Sequence, residues 1–335
     1  MKLSLVTFGH GDAVHQYFGH NALVVEGRDL PEATVVNYGM FTFGPDMIPQ
    51  FLSGRLHFWV GASELQRTAA RYVRERRDVR LRELNLEPAA QLAVLAKLQH
   101  DLKPENRGYL YDHYFDNCST RVRDVLDAAL GGQLRRAWAR PARFNLREQT
   151  QRYTQHDVLT QWAMMFLLNG SVDRAQDEWG AAFLPDALEH LLDTTTYVNS
   201  QGARVPLVAA KHALFRAERQ PVPDVPARRW PANLALGLLL GAILGGLGAR
   251  AALRGGPWRR AFNLSVALYG VLSGLFGSLL VYVWAFSDHL VAHENANLLL
   301  TSPLNLIAGV AYGCSTARWA RAVWIALGAG AALLV

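Results

Sequence analysis

The spacing of apolar positions changes character along the chain. In the first third, short β-prone runs alternate with polar loops. Residues 3–8 (LSLVTF), 22–26 (ALVVE), 33–38 (ATVVNY) and 55–60 (RLHFWV) predict the strands of an antiparallel region, punctuated by Gly39, Gly44, Pro45 and Pro49. Residues 63–75 read as a helix and 79–86 as a strand. Pro88 then opens a helix that carries Leu92, Leu95, Leu98 and Leu102 near one face. After Cys118, apolar Val122, Val125, Leu126, Ala129 and Leu130 recur at helical spacing until Gly131-Gly132 stops the run, with Asn117 as the expected N-cap.

Beyond Gly132 the pattern stays helical and rich in Trp. Residues 162–168 (WAMMFLL) and 179–192, the latter interrupted at Pro185, fit a lid, a membrane-facing flank or ordinary core helices. Pro221, Pro223, Pro226 and Pro231 mark a stiff linker over 217–231. Past it come apolar runs long enough to span a bilayer, at about 233–249, 261–287 and 297–317, with a shorter one at 322–335. The expected plan is α+β: a domain over 1–216 with a helical flank at 133–216, the linker, and a bundle of about four transmembrane helices over 232–335. Within the first span, the G-x-x-x-G of Gly241 and Gly245 is expected to pack helices.

Charge orients the bundle. Arg254, Arg259 and Arg260 lie between the first two spans and Arg318 and Arg321 between the last two, whereas 286–297 has no Lys or Arg. Both arginine loops therefore belong on the cytoplasmic side, and the loop 286–297 shares the opposite side with the N-terminal domain. A domain on that side needs an export signal. MKLSLVTF has neither a full apolar core nor a cleavage site, so the start of the chain is expected to be trimmed or misassigned, a cytoplasmic domain being the alternative that breaks the charge rule. The net charge of +6 over 335 residues is spread through the chain, without the Lys/Arg block and interleaved aromatics of a nucleic-acid binder, and suits anionic lipid headgroups better. The two cysteines, Cys118 and Cys314, fall in different parts and are expected to be free.

Cys118 is the candidate nucleophile. In the first turn of a helix, unpaired N–H groups and the helix dipole favour thiolate, and the same groups suit an oxyanion. Polar Asp116, Asn117, Ser119, Thr120 and Arg121 around it predict a cleft and not a core. Such a thiol needs a base and a group to orient the base. His20, at the mouth of the second strand, is the candidate base, and Asn37 the candidate orienting residue, with His57 and Asp112 as competitors. His289 and His293 have helical ligand spacing beside Asp288 and Glu294, but no Cys/His cluster closes a four-coordinate site, so neither metal nor cofactor is expected.

The order of histidine on a strand, polar residue on the next strand and cysteine at a helix start resembles permuted papain-like enzymes of the lecithin retinol acyltransferase and NlpC type. More specifically, FGHNALVV, VVNYGMFTF, FLSGRLHFWV, YDHYFDNCSTRVRD, WGAAFLPDAL and SDHLVAHENANLLLTSPLN resemble the Lnb family of bacterial lipoprotein N-acyltransferases over most of the chain. That resemblance implies an envelope domain anchored to the inner membrane. In it Cys118 would take a fatty acyl chain from a phospholipid as a thioester, with His20 as base, and pass it to the N-terminal amine of a diacylglyceryl lipoprotein. Tyr38, Tyr114, Asn117, Ser119 and Arg121, with Asp288, His289 and Asn297 of the membrane-side loop, are then expected to meet substrate. Two other classes fit a Cys-His pair: a cell-wall amidase or peptidase with water as acceptor, and a non-catalytic membrane-anchored binding module.

Overall fold

The computed structural model describes residues 1–27 and 32–314. The strands in chain order are β1 (Lys2–Phe8), β2 (His20–Glu26), β3 (Thr34–Met40), β4 (His57–Glu64), β5 (Val79–Leu84), β6 (Gly108–Leu110), β7 (Thr196–Val198), β8 (Arg204–Pro206) and β9 (Val208–Phe215). The helices are α1 (Met47–Ser53), α2 (Leu65–Arg74), α3 (Pro88–Asp101), α4 (Cys118–Ala129), α5 (Gln133–Ala137), α6 (Leu146–Thr154), α7 (Val158–Leu167), α8 (Glu178–Ala181), α9 (Pro185–Thr194), α10 (Trp230–Arg254), α11 (Gly256–Phe286) and α12 (Leu304–Cys314). Two compact units result: residues 1–161 with 173–225, and residues 162–172 with the chain from Pro226 onward. The division is therefore not one cut near residue 216, because the apolar run after Gln161 packs with the C-terminal unit.

In the first unit seven strands pair in the order β6-β4-β3-β2-β1-β5-β9, every pair antiparallel. Alternation along β1 divides its side chains between the two faces of the sheet. Leu3 and Leu5 join Leu23, Val36 and Tyr38 against α3, α4 and α9, while Val6 and Phe8 join Ala22, Val24, Val35 and Val79 against α2. Both faces are thus covered, and the central strands read as nearly continuous apolar runs. The sequence reading placed 208–215 in a helical flank, whereas it forms β9 on the edge of the sheet beside β5. Its VAAKHALF has no β-branched run, and pairing with a formed strand decides its state.

Helix α9 is fastened across the sheet by charge. Arg80 on β5 meets Asp186 (2.5 Å) and Glu189 (3.0 Å), and Arg82 meets Glu189 and Asp193 (2.9 Å). Glu189 is only 6% exposed, so two guanidiniums offset its loss of water.

In the second unit two described helices, α10 and α11, are long and apolar enough to cross a membrane. They run past the expected limits to meet at Gly255 (φ 61°), because the helical backbone continues through the arginine-bearing ends. The expected third span begins later: turns occupy Leu290–Ala292 and Ala296–Leu299, and α12 starts only at Leu304, after Pro303. Its end and the fourth span lie outside the described residues. Gly241 and Gly245 touch nothing among the described residues; close helix packing is instead between α11 and α12, where a Cβ on Gly274 or Gly277 would overlap the backbone of Leu306 or Thr301. Asn305 there donates to Ser273 (3.2 Å) and to the Leu300 carbonyl (3.1 Å).

Removing Glu189 leaves two arginines facing each other without their shared carboxylate. Glu189→Ala is expected to destabilise the first unit by about 3–5 kcal/mol, read as a lower thermal midpoint of the solubilised full chain. An unchanged midpoint would mean that the network does not hold α9.

Candidate active site

The site is built from the cap of α4. Asn117 is extended (φ −127°), and its Oδ1 accepts from Ser119 N (2.8 Å) and Thr120 N (3.0 Å), while Thr120 Oγ1 accepts from Asn117 N (2.8 Å). This reciprocal cap begins the helix at Cys118 and puts the sulfur in its first turn. The Asn117 amide nitrogen donates to the carbonyls of His113 (2.7 Å) and Phe183 (3.0 Å), tying the cap to the segment that leads into α9. Ser119 Oγ donates to Asn21 Oδ1 (2.7 Å), and Asn21 Nδ2 to Thr7 Oγ1 (2.8 Å). That chain fastens α4 to β2 and β1 one residue from His20.

His20 opens β2 after the turn at Gly19 (φ 78°). Its Nε2 lies 2.7 Å from Asn37 Oδ1 on β3. Because Oδ1 only accepts, Nε2 carries a proton, and Nδ1 is the nitrogen left for the thiol, which is near enough to interact electrostatically with the ring. Gly39 makes this meeting possible. It sits at the irregularity between Tyr38 and Met40 with φ 123°, and a Cβ there would lie 3.3 Å from His20 Cε1 and 3.7 Å from Cys118 Cβ. Of the competitors, His57 is exposed on β4, and Asp112 accepts from the N–H groups of Tyr114 and Phe115 (2.8 and 2.9 Å).

The thiol is buried, 9% exposed, and free. Burial by itself raises the Cys118 pKa and lowers that of His20, yet each ends on the other side of its ordinary value. The mutual attraction of thiolate and imidazolium opposes desolvation, with Asn37 supporting the cation and the Asn21 N–H the anion. Where the polar neighbours predict a cleft, Asn117, Cys118, Ser119 and Thr120 are buried, and the polar ones are hydrogen-bonded inside the protein.

Of the residues expected to meet substrate, Tyr38, Tyr114, Asn117 and Ser119 are buried with partners inside the protein. The Tyr38 hydroxyl donates to Asp101 (2.8 Å), and that of Tyr114 pairs with Thr150 (2.8 Å). Arg121 pairs with Asp116 (2.6 and 2.8 Å) and lies over the Tyr109 ring at 3.7 Å. In the second unit, Asn297 donates to the Phe166 carbonyl (2.9 Å), Asp288 is exposed and His289 is half-buried. Two site residues were missed in the sequence. Gly39 read only as punctuation, and Tyr109 was given no role. The Tyr109 hydroxyl is buried without a hydrogen-bond partner, within electrostatic reach of the Cys118 sulfur. No sequence signal distinguishes such a hydroxyl from a satisfied one.

The fold and the two units define a membrane protein whose first unit brings a cysteine, a histidine and an asparagine together at the start of α4. A model of the Lnb N-terminal periplasmic domain matches residues 1–150, and a model of the Lnb transmembrane domain matches residues 252–335. The chain belongs to the Lnb family. It is an inner-membrane protein with a periplasmic domain, of a family concerned with lipoprotein biogenesis. No curated protein and no solved structure matches it significantly.

The pairing has a pH signature. The midpoint of Cys118 alkylation by iodoacetamide is expected to lie below the ordinary thiol pKa of about 8.5. In His20→Ala the sulfur keeps its burial and loses the cation, so the midpoint moves above that value and the neutral-pH rate falls roughly tenfold or more. An unchanged midpoint would exclude the ion pair.

Proposed function

We propose that the periplasmic unit is a permuted papain-like acyltransferase that moves a fatty acyl chain from a membrane phospholipid, through a thioester on Cys118, to the N-terminal amine of a diacylglyceryl lipoprotein. The observation that carries this reading is the meeting of Cys118, at the start of α4, with a His20 held by Asn37, in a chain of the Lnb family anchored in the inner membrane. The Cys118 thiolate attacks the ester carbonyl, forming the C–S bond and a tetrahedral oxyanion. When that intermediate collapses, the ester C–O bond breaks and the departing lysophospholipid oxygen takes the His20 proton. The lipoprotein amine then attacks the thioester carbonyl and gives a proton to His20, and the thiolate leaves as the amide forms. The α-amino pKa of about 8 keeps part of this acceptor neutral. Both lipid substrates stay in the bilayer, so anchoring supplies effective concentration.

The first-turn donors are fewer than a bare helix start offers. Ser119 and Thr120 N–H are engaged by the Asn117 side chain, and Arg121 N–H by the Asn117 carbonyl (3.1 Å). The Cys118 N–H has no acceptor among the described residues. Together with the unpartnered Tyr109 hydroxyl it forms the donor pair for the oxyanion. Burial raises the pKa of that phenol well above its ordinary value, so it stays a proton-bearing donor at neutral pH.

Incubating the full chain with phospholipid vesicles is expected to add one acyl group to Cys118, detected by mass spectrometry and removed by hydroxylamine. Cys118→Ser should form almost none, since the hydroxyl pKa lies far above neutrality. No adduct on the parent protein would reject the acyltransferase.

Tyr109→Phe retains the ring under Arg121 and loses only the hydroxyl. It is expected to slow thioester formation about 100-fold while leaving the pH profile of Cys118 alkylation unchanged. Thioester formation at the parent rate would remove Tyr109 from the oxyanion site.

A further inference from the structure

Between Gly39 and Gly54 the chain reads GMFTFGPDMIPQFLSG, with Asp46 as its one charged side chain. In the periplasmic unit this segment joins β3 to β4 and contains α1. The helix presents its apolar side chains outward: Ile48 is 69% exposed and Phe51 53%, with Leu52 also exposed and Phe43 in the turn before it at 62%. None of α1 is buried. A continuous apolar patch of this kind on a folded unit marks a surface that meets something apolar.

We infer that residues 41–53 are an interfacial finger that inserts into the outer leaflet of the inner membrane and seats the periplasmic unit on the lipid. Two observations choose lipid over a protein partner. The first is the tether: only residues 216–229, 14 in all, separate the end of β9 from the start of the membrane-spanning α10. Fully extended they reach about 50 Å, so the unit never leaves the neighbourhood of the bilayer. The second is where the patch leads. From exposed Phe43 a row of rings runs inward, Phe43 to Phe41 at 4.8 Å, Phe41 stacked on Phe58 at 5.0 Å, and Phe58 stacked on Tyr111 at 4.4 Å. Tyr111 is within electrostatic reach of Cys118. A short apolar helix with flanking aromatics, lying in the plane of the interface, is how a peripheral unit buries part of its surface in lipid. Here the aromatic track starts at the inserted end and stops at Tyr111, on the way to the cysteine. The path suits a fatty acyl chain drawn from the leaflet, a use that rests on the acyl transfer proposed above; the insertion itself does not.

The test uses the full chain in the background Cys118→Ala, Cys314→Ala, reconstituted in phosphatidylethanolamine/phosphatidylglycerol vesicles. Ile48→Cys carries an environment-sensitive fluorophore, and Glu105→Cys, on an exposed turn, is the control. Lipid with a nitroxide near the top of its acyl chain is expected to quench the probe at 48 several-fold more than the probe at 105, whereas aqueous iodide quenches mainly 105. Equal accessibility to iodide would overturn the finger. So would ready disulfide formation between Ile48→Cys copies, which would assign the patch to self-association. A separate arm keeps Cys118 and tests Ile48→Ser with Phe51→Ser: thioester formation from vesicle phospholipid is expected to fall several-fold, with alkylation of Cys118 unchanged. Quenching without any thioester in the parent protein would leave the finger standing and reject the acyltransferase; a thioester without quenching would do the reverse.

Discussion

The close approach of the buried Cys118 thiol and the His20 imidazole is the constraint around which the centre of the periplasmic unit is arranged. Charge on each is disfavoured by burial and stabilised by charge on the other, so the ion pair exists only while the two rest in contact. Separation favours the neutral forms, because the attraction falls with distance while the desolvation cost stays. The surroundings therefore act as a clamp from several directions. The Asn117 cap fixes the sulfur, Asn37 fixes the imidazole, and the chain Ser119–Asn21–Thr7 fastens the helix to the strand that bears His20. Gly39 removes the one Cβ that would stand between them.

The clamp has a second layer whose residues never approach the sulfur. The Phe183 carbonyl that receives the Asn117 amide precedes α9, and α9 is held by the Arg80 and Arg82 network on β5. Tyr153 adds its hydroxyl to Asp186 at 3.0 Å. Ion pairs of this partly buried kind contribute little net stability compared with apolar packing, but they are costly to break on one side, which makes them good at fixing one arrangement. The geometry of the nucleophile is thus maintained by charges on the opposite strand of the sheet.

Much of this was legible from local pattern. The strands at 3–8, 22–26 and 33–38, the helix after Cys118 and its Asn117 cap follow from alternation, period and capping chemistry, and these elements bring His20, Asn37 and Cys118 together. What escaped depends on tertiary partners. β9 became a strand because β5 offered an edge. The importance of Gly39 lies in two side chains from other elements, and that of Tyr109 in a hydroxyl without a partner. The small-residue motif at Gly241 and Gly245 was visible, but the residues that approach closely are Gly274 and Gly277, selected by where α12 crosses. Periodicity identifies faces; it does not say which face another element will cover.

Asparagine shows the same limit from the chemical side. Around the cysteine and in the loop after α11 the chain has several, and a polar amide near a proposed substrate path invites a binding role. In the structure these amides satisfy backbone. Asn117 and Asn145 cap α4 and α6, while Asn295 donates to the carbonyls of Phe166 and Leu167 (2.9 Å each) and Asn297 to Phe166. Asn169 returns the exchange, donating to the carbonyls of Leu290 (3.0 Å) and His293 (2.6 Å). The carbonyls at the end of α7 have no helical partner; each left buried and unmet would cost roughly 1–3 kcal/mol. An amide offers a donor without a charge, which is the cheaper way to meet that need at the edge of a bilayer. The same residues therefore hold the 162–172 segment to the loop 287–297, and that stitching explains why a stretch read as a flank of the periplasmic domain belongs to the membrane unit.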